Sequence, residues 1–212
     1  MSHQAGKAVI MLYGHPMSGK TTAAARIQSC LRKIGILAEI IGSAKSRLKG
    51  KAHSSTTGFV DEENARTRSV KDKAYRSVCN AAVKCLRKNV VPILDATFHK
   101  LYRRERVYAL AKSGGAAVYL VWLVHSDERA IKKYIRERRE AGKVSALHTW
   151  GQYAIMRQQT DRLEDNELVK RPGCLRAIVH LDRDNGTVRI YGKADEFARQ
   201  LAGAVVKQPS RN

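Results

Sequence analysis

The sequence has few cysteines and no long hydrophobic run, and both shortages exclude classes of protein. Its four cysteines, Cys30, Cys79, Cys85 and Cys174, form no C-x-x-C pair and join no histidine cluster at metal-ligand spacing. We therefore expect neither a disulfide framework nor a zinc site, but small buried thiols in a reducing compartment. No stretch approaches the roughly 20 apolar residues that a membrane span needs. We expect no membrane partner and a cytoplasmic location.

Acidic residues are also scarce. The chain has 19 Asp and Glu against 40 Lys and Arg, which leaves a formal net charge of +21. This excess is larger than solubility requires, so the surface is expected to attract anions. Two explanations stay open: a solvated basic surface, since a kinase that binds only ATP also collects arginines, or a polyanionic ligand such as nucleic acid.

The clearest motif is a glycine loop near the start of the chain. It follows the apolar run AVIMLY at 8–13, which predicts a buried parallel strand, and it opens an amphipathic helical pattern. In such a loop the backbone N–H groups converge on a β-phosphate, aided by the positive end of the helix. Lys20 is expected at the β- and γ-phosphates and the Thr21 hydroxyl at Mg²⁺. The predicted nucleotide site comprises Gly14, His15, Pro16, Met17, Ser18, Gly19, Lys20, Thr21 and Thr22.

Strand and helix patterns alternate along the whole chain. Further apolar runs predict strands at 36–41, 90–97, 116–124 and 175–181. Helical patterns lie at 20–34, 61–88, 102–112, 126–140, 144–169 and 195–206, and a tight turn at 184–186 leads into TVRIY. Ser126 is the expected N-cap of its helix. The alternation predicts an α/β three-layer sandwich, with a parallel five-stranded sheet, helices on both faces, and ligands at the carboxyl ends of the strands.

The same patterning predicts how the chain is organised. One domain is expected over 1–206, with a mobile basic loop over 43–58 that is rich in Lys, Ser, Thr and Gly, and a tail over 207–212. A guanine-reading N-K-x-D motif is absent, which argues against a GTPase switch. The sequence gives no indication of the oligomeric state.

Two parts of the chain together resemble a known family. They are the phosphate loop and, at 93–140, the stretch ILDATFHKLYRRERVYALAKSGGAAVYLVWLVHSDERAIKKYIRERRE. The family is the predicted-kinase (AAA_33-like) group of small P-loop kinases, with polynucleotide 5′-hydroxyl kinase, seryl-tRNA(Sec) kinase and, more distantly, adenylylsulfate kinase. The resemblance covers roughly 8–170. It rests on G-x-P-x-S-G-K-T, on Asp95 at a strand end, on Arg104 and Arg106, and on a basic helix. It implies a P-loop NTPase fold, ATP, Mg²⁺ and a lid at about 126–165.

The resemblance also implies roles for individual residues. In these kinases the strand aspartate lies near the γ-phosphate and the metal, so Asp95 is expected to organise Mg²⁺ with Thr21 and is a candidate for accepting the hydroxyl proton. A simple strand-end cap is the alternative. The family's lid carries two arginines four residues apart. The second falls on Arg138, expected to be catalytic and to bind the nucleotide with its neighbour Arg139, whereas the first falls on Tyr134, leaving Lys133 or Arg136 as substitutes.

A carboxylate is missing where the relatives often place a general base. After the second strand the sequence reads Ile-Gly-Ser-Ala at 41–44. The segment GFVDEENARTR at 58–68 offers Asp61 as a substitute base, with Glu62 and Glu63 beside it, although acids at a helix N-terminus explain these residues equally well. Arg66 and Arg68 are expected to face an anionic acceptor.

These observations predict an ATP-dependent kinase that transfers the γ-phosphate to a hydroxyl of an anionic acceptor. The acceptor is either a nucleic acid or nucleotide-like anion, or a small metabolite. Cations in the 43–58 loop, with Tyr102, Trp150 or Tyr153 stacking on bases, suit nucleic acid, but the loop suits a small anion equally. The alternative function is a nucleic-acid-binding NTPase or regulatory ATP-binding module without an acceptor. An adenylylsulfate-kinase-like enzyme or an antibiotic kinase of the same fold also stays open.

Overall fold

The computed structural model describes residues 7–42, 65–141, 149–163, 167–170 and 172–206, with the side chains of 65–71 left aside. In chain order the helices and strands are β1 Ala8–Tyr13, α1 Lys20–Lys33, β2 Ala38–Gly42, α2 Ala65–Arg87, β3 Val91–Asp95, α3 Leu101–Ser113, β4 Ala117–Val124, α4 Glu128–Glu140, α5 Trp150–Gln158, β5 Leu175–Asp182, β6 Val188–Gly192 and α6 Glu196–Val205. The predicted loop at 43–58 and the tail at 207–212 lie outside the described residues.

The strands form one sheet in the order β2-β3-β1-β4-β5-β6. The first five are parallel, as predicted. The sixth corrects the predicted strand count: β6 pairs antiparallel with β5, with Leu181 opposite Val188 and Ala177 opposite Gly192. The reason is the short turn at 184–186, because a connection of a few residues can only return the chain beside the strand it has left.

Helices cover both faces of the sheet, as predicted. Every residue of β1 is buried, and alternate side chains enter two separate cores. Val9 and Met11 pack with α2 and α3 on one face, whereas Ile10 and Leu12 pack with α1 and α6 on the other. Burial on both faces is why the central strands read as continuous apolar runs.

A third, smaller core joins the lid region to the phosphate loop. Ile131 and Ile135 of α4 pack against Tyr153 and Met156 of α5, and Met17 of the loop packs against this cluster. The lid therefore has its own hydrophobic support, and that support extends to the loop expected to hold phosphates.

The N-cap of α4 differs from the prediction. Asp127 caps the helix, because its carboxylate accepts the N–H groups of Arg129 and Ala130. Ser126 instead donates its hydroxyl to Asp184, 2.6 Å away in the β5–β6 turn. Both residues have capping side chains, and the contact with a distant turn decides between them.

The cysteines are less buried than the sequence predicts. All four cysteines are free; Cys85 is buried, whereas the other three are half-buried rather than buried. The Cys85 thiol lies 3.3 Å from a carboxylate oxygen of Glu39. Among the helices within the described ranges, none combines the length and apolar character needed to cross a bilayer.

Candidate nucleotide-binding site

The phosphate loop leaves β1 and enters α1 through two glycines with positive φ angles. Gly14 has a φ of 150°, and a Cβ there would lie 2.4 Å from the carbonyl oxygen of Leu123. Gly19 has a φ of 84°, and its Cβ would lie 2.8 Å from a guanidinium nitrogen of Arg183. Both positions therefore favour glycine for conformation, and Gly14 needs it for space as well, because a backbone oxygen cannot move aside as the Arg183 side chain can. The loop backbone can approach a ligand closely because no side chain stands in the way.

Lys20 is folded back over the loop. Its ammonium donates to the carbonyl oxygens of Gly14 at 2.9 Å and His15 at 2.7 Å. Burial lowers its pKa to about 8, and the charge of Asp95 only partly opposes that effect. The ammonium is thus held where solvent stabilises it poorly, which is the setting in which a phosphate would interact with it most strongly.

Two further polar atoms in the loop are buried without a hydrogen-bond partner within the described structure: Ser18 Oγ and His15 Nδ1. Burial, then the charges of Lys20 and Arg157, lower the pKa of His15 to about 4, so its ring is neutral at physiological pH. Unsatisfied buried polar atoms in a native fold need an explanation. A ligand that occupies this loop supplies one.

Thr21 and Asp95 come together at the start of α1. β3 pairs with β1 in the sheet, so the aspartate that ends β3 lies beside the loop that follows β1. The Thr21 hydroxyl donates to Asp95 Oδ2 at 2.8 Å. A hydroxyl and a carboxylate are oxygen donors of the kind that Mg²⁺ prefers, and Mg²⁺ is commonly held by one or two protein groups plus phosphates and water. The part of the chain described here has no cluster of three or more metal-ligating side chains, so these two residues fit that partial coordination.

Arg138 lies in the last turn of α4, half-buried. Its Nη1 donates to the Tyr134 hydroxyl at 3.4 Å, and its guanidinium lies 5.7 Å from the centre of that ring. Tyr134 stands where the family's first lid arginine is expected, and here it supports the second. Arg139 is exposed. The substitute candidates are paired within the helix, Lys133 with Glu137 and Arg136 with Glu140.

Arg104, one of the residues on which the family resemblance rests, has a structural role in the fold. It is fully buried and bound to the buried Glu167 through Nε and, at 3.2 Å, through Nη2. Its Nη1 donates to the Phe98 carbonyl at 2.9 Å. Tyr108 also donates to Glu167, at 3.3 Å. This cluster ties α3 to the segment after the lid, so Arg104 is not available to phosphates.

The side chains of the predicted acceptor residues lie outside the described part of the chain. Asp61 lies outside the described residues. Arg66 and Arg68 fall within α2, and their side chains also lie outside the described part. Gly42 ends β2, and Ser43 and Ala44 follow it in the sequence, so no carboxylate comes directly after that strand.

Two residues of the β5–β6 turn touch the site and were not anticipated. Arg183 donates from Nη1 to the Met17 carbonyl at 3.2 Å and lies against Gly19. Asp184 accepts from His125 Nδ1 at 2.5 Å and from the backbone N–H of Ser126 at 2.6 Å. Partial burial alone would raise the pKa of Asp184, but the hydrogen bonds from Ser126 and His125 lower it to about 2. The only sequence signal was a polar Asp-Arg-Asp-Asn run at the carboxyl end of a strand, which also reads as an ordinary turn.

The fold and this arrangement define a class. The parallel strands are ordered 2-3-1-4-5, and a glycine loop joins β1 to α1. A lysine and a threonine lie at the end of that loop, and an aspartate ends the adjacent strand. These are the features of a P-loop NTPase with a kinase-like fold. The chain belongs to the AAA_33 family, described as an AAA domain, which it matches over residues 9–164. The resemblance noted from the sequence is thereby confirmed. No protein with a curated function matches the sequence significantly.

Solved structures share the fold at low sequence identity. Kti12 of Chaetomium thermophilum, in complex with ADP-AlF3, is 20% identical with a TM-score of 0.61, over 93% of this chain and 96% of that one. The APS kinase CysC of Mycobacterium tuberculosis, in complex with AMPPNP and APS, is 15% identical with a TM-score of 0.58, over 94% and 96%. A protein of the PezAT toxin-antitoxin system of Streptococcus pneumoniae is 18% identical with a TM-score of 0.58, over 96% and 81%. At such identities the likeness establishes the fold.

Proposed function

We infer that this protein is an ATP-dependent kinase that transfers the γ-phosphate of ATP to a hydroxyl of an anionic acceptor. The observation that carries the inference is the placement of Lys20, Thr21 and Asp95 around one glycine loop, with the ammonium 2.7 Å from a loop carbonyl and the hydroxyl 2.8 Å from the carboxylate. Fold neighbours solved with ADP-AlF3 and with AMPPNP support ATP as the nucleotide.

The loop and α1 bind and orient the triphosphate. Backbone N–H groups of 17–20 and the N-terminus of α1 hold the β-phosphate, and the Ser18 hydroxyl gains a partner there. Lys20 exchanges its two carbonyl partners for the β- and γ-phosphate oxygens, an interaction made stronger by its buried position. Arg183 fixes the Met17 carbonyl and thereby the shape of the loop.

Thr21 and Asp95 hold a magnesium ion, which when bound neutralises charge on the phosphates. Asp95 is also the candidate that receives the acceptor's proton. The acceptor oxygen forms a bond to the γ-phosphorus, the bond from that phosphorus to the β–γ bridging oxygen breaks, and ADP leaves with the electron pair. Arg138, supported by Tyr134, and Arg139 close over the phosphates from α4 and exclude water.

One observation favours a second candidate function. Because Gly42 ends β2 without a carboxylate, the acceptor side lacks the base that related kinases often place there. A nucleic-acid-binding NTPase or a regulatory ATP-binding module would need no such base. These functions differ from a kinase in the fate of the γ-phosphate. An NTPase transfers it to water, and a regulatory module leaves it on ATP.

The test is transfer from ATP labelled at the γ-phosphate, with Mg²⁺, to 5′-hydroxyl RNA and DNA oligonucleotides and to a deproteinised metabolite extract. Lys20→Ala and Asp95→Asn are expected to abolish transfer while the fold survives, since both act on charge rather than packing. Lys112→Ala is the matched control, because Lys112 is exposed near the far end of α3. Label in a product with the wild type and control, and in none with Lys20→Ala, supports the kinase. Label released only as phosphate supports the NTPase.

A further inference from the structure

The positive charge of the described helices is distributed unevenly. In α4 three exposed cations have acidic partners one turn away: Lys132 with Glu128, Lys133 with Glu137, and Arg136 with Glu140. The exposed Arg129 and Arg139 have no such partner among the described residues. Such pairs largely cancel one another's field at a distance. Three of the five exposed cations of α4 are therefore partly neutralised.

α2 presents cations without such partners. Lys73, Arg76 and Lys84 are exposed on one side of the helix, at spacings of three and eight residues. Among the described residues none of the three forms an ion pair, although ion pairs join α2 to the neighbouring helix α3 through Asp72. They line a cavity of about 530 Å³, the α2 basic face, whose described lining residues are Lys73, Arg76, Ser77, Asn80, Ala81 and Lys84.

The one acid among the described side chains of α2 points away from this face. Asp72 accepts the Tyr102 hydroxyl at 3.0 Å and lies 3.7 Å from Arg103 and 4.0 Å from Arg106, all on α3. Its charge is thus balanced within the α2–α3 contact. Among the described side chains, no acid offsets the positive charge of the α2 basic face, which is the condition for attracting a polyanion.

The end of α2 that carries Lys73 lies toward the carboxyl edge of the sheet, where β3 ends at Asp95. The Tyr75 hydroxyl, two residues beyond Lys73, accepts the Phe98 N–H at 3.4 Å, and Phe98 follows Asp95 by three residues. From there α2 runs back along the side of the sheet. Lys73 to Lys84 spans about 16 Å at the helical rise, which matches about five phosphates along one strand of a duplex.

We propose that the α2 basic face binds the phosphate backbone of a nucleic acid whose reacting end lies at the carboxyl edge of the sheet. This rests on the proposed kinase function, because it makes the nucleic acid the acceptor. Between the cations stands Asn80, an exposed residue whose short side chain can donate from its amide group to phosphate oxygens. The described lining residues include no large apolar side chain to enter a bilayer, so the chemistry favours nucleic acid over an anionic membrane.

The test compares two charge-reversal variants of the full chain. Lys73→Glu/Arg76→Glu/Lys84→Glu changes the α2 basic face. Lys33→Glu/Lys112→Glu/Lys193→Glu makes the same change in net charge at exposed lysines elsewhere. Binding of a fluorescent 5′-hydroxyl single-stranded RNA of about 20 nucleotides is followed by anisotropy between about 50 and about 200 mM salt.

The α2 variant is expected to lose at least about tenfold in RNA affinity and about 2 units of the salt slope, since three phosphates are no longer neutralised. The control variant is expected to change far less, and both should bind ADP as the wild type does. Equal losses in the two variants, no RNA binding by the wild type, or loss only of binding to phosphatidylserine vesicles overturns the proposal. Lys20→Ala separates it from the kinase proposal, because that variant should still bind RNA whether or not the wild type transfers phosphate.

Discussion

Nucleotide affinity is expected to fall as the pH rises through about 8, because Lys20 then loses its proton. Burial lowers the pKa of Lys20 to about 8 in the free protein. A bound polyphosphate favours the charged ammonium and raises that pKa. The nucleotide therefore binds the protonated protein more tightly, and affinity declines once the free lysine is deprotonated.

The size of the effect follows from the lowered pKa. One pH unit above it, about a tenth of the free molecules carry the ammonium, so affinity should be about tenfold weaker, or about 1.4 kcal/mol. Nearby groups titrate elsewhere: the pKa of His15 is lowered to about 4, and burial raises the pKa of Tyr153 above its ordinary value.

Isothermal titration calorimetry of ADP binding with Mg²⁺, from about pH 7 to about pH 9.5, measures this decline, and buffers of different ionisation enthalpy report the proton taken up. Lys20→Met removes the titrating group and should bind weakly with little pH dependence. Equal affinity for the wild type across the whole range, or the same decline in Lys20→Met, would refute the assignment of Lys20 as the phosphate-binding cation.

Three further predictions concern the parts that hold the site. Gly14→Ala should cost about 1–3 kcal/mol of stability and abolish ADP binding, because the new Cβ would lie 2.4 Å from a carbonyl oxygen. Gly203→Ala, in open space within α6, should leave binding unchanged and raise stability by up to about 1 kcal/mol, and equal behaviour of the two variants would contradict this. Arg104→Met should lower the free energy of unfolding by about 3–5 kcal/mol by leaving Glu167 buried and unpaired. Denaturant unfolding tests it, and failure of Arg104→Met/Glu167→Leu to recover stability would show that the pair is not the cause. Asp184→Asn should increase hydrogen exchange at the start of α4 but not in β1, and unchanged exchange at α4 would rule out its support of the lid. Because the pKa of Asp184 is lowered to about 2, the wild type should keep that protection above pH 4 and lose it as the pH falls toward 2.

The parts of the fold that were predictable depend on local sequence. The phosphate loop needs only a buried strand, two glycines and a helix within 8–33, so its place and geometry follow from adjacent residues. The five parallel strands are apolar enough to be recognised individually. β6 was not counted as a strand because its residues are half-buried or exposed, and only the turn at 184–186 indicated it.

The parts that were not predictable depend on contacts between distant residues. Arg104 reads as a surface arginine on a basic helix until Glu167, 63 residues later, pairs with it. Ser126 and Asp127 are equally suited to cap a helix, and Asp184 selects between them by binding Ser126. No local pattern contains these pairings, and for that reason the support of the lid and loop was missed.

The most direct test of the kinase proposal is a phosphate balance. Wild-type protein is incubated with ATP, Mg²⁺ and the acceptor mixture, and the ADP and free phosphate produced are quantified together. A kinase yields more ADP than free phosphate, with the difference recovered in a phosphorylated product, and Lys20→Ala yields neither. Equal amounts of ADP and free phosphate from the wild type, with no phosphorylated product, would contradict the account and identify an NTPase.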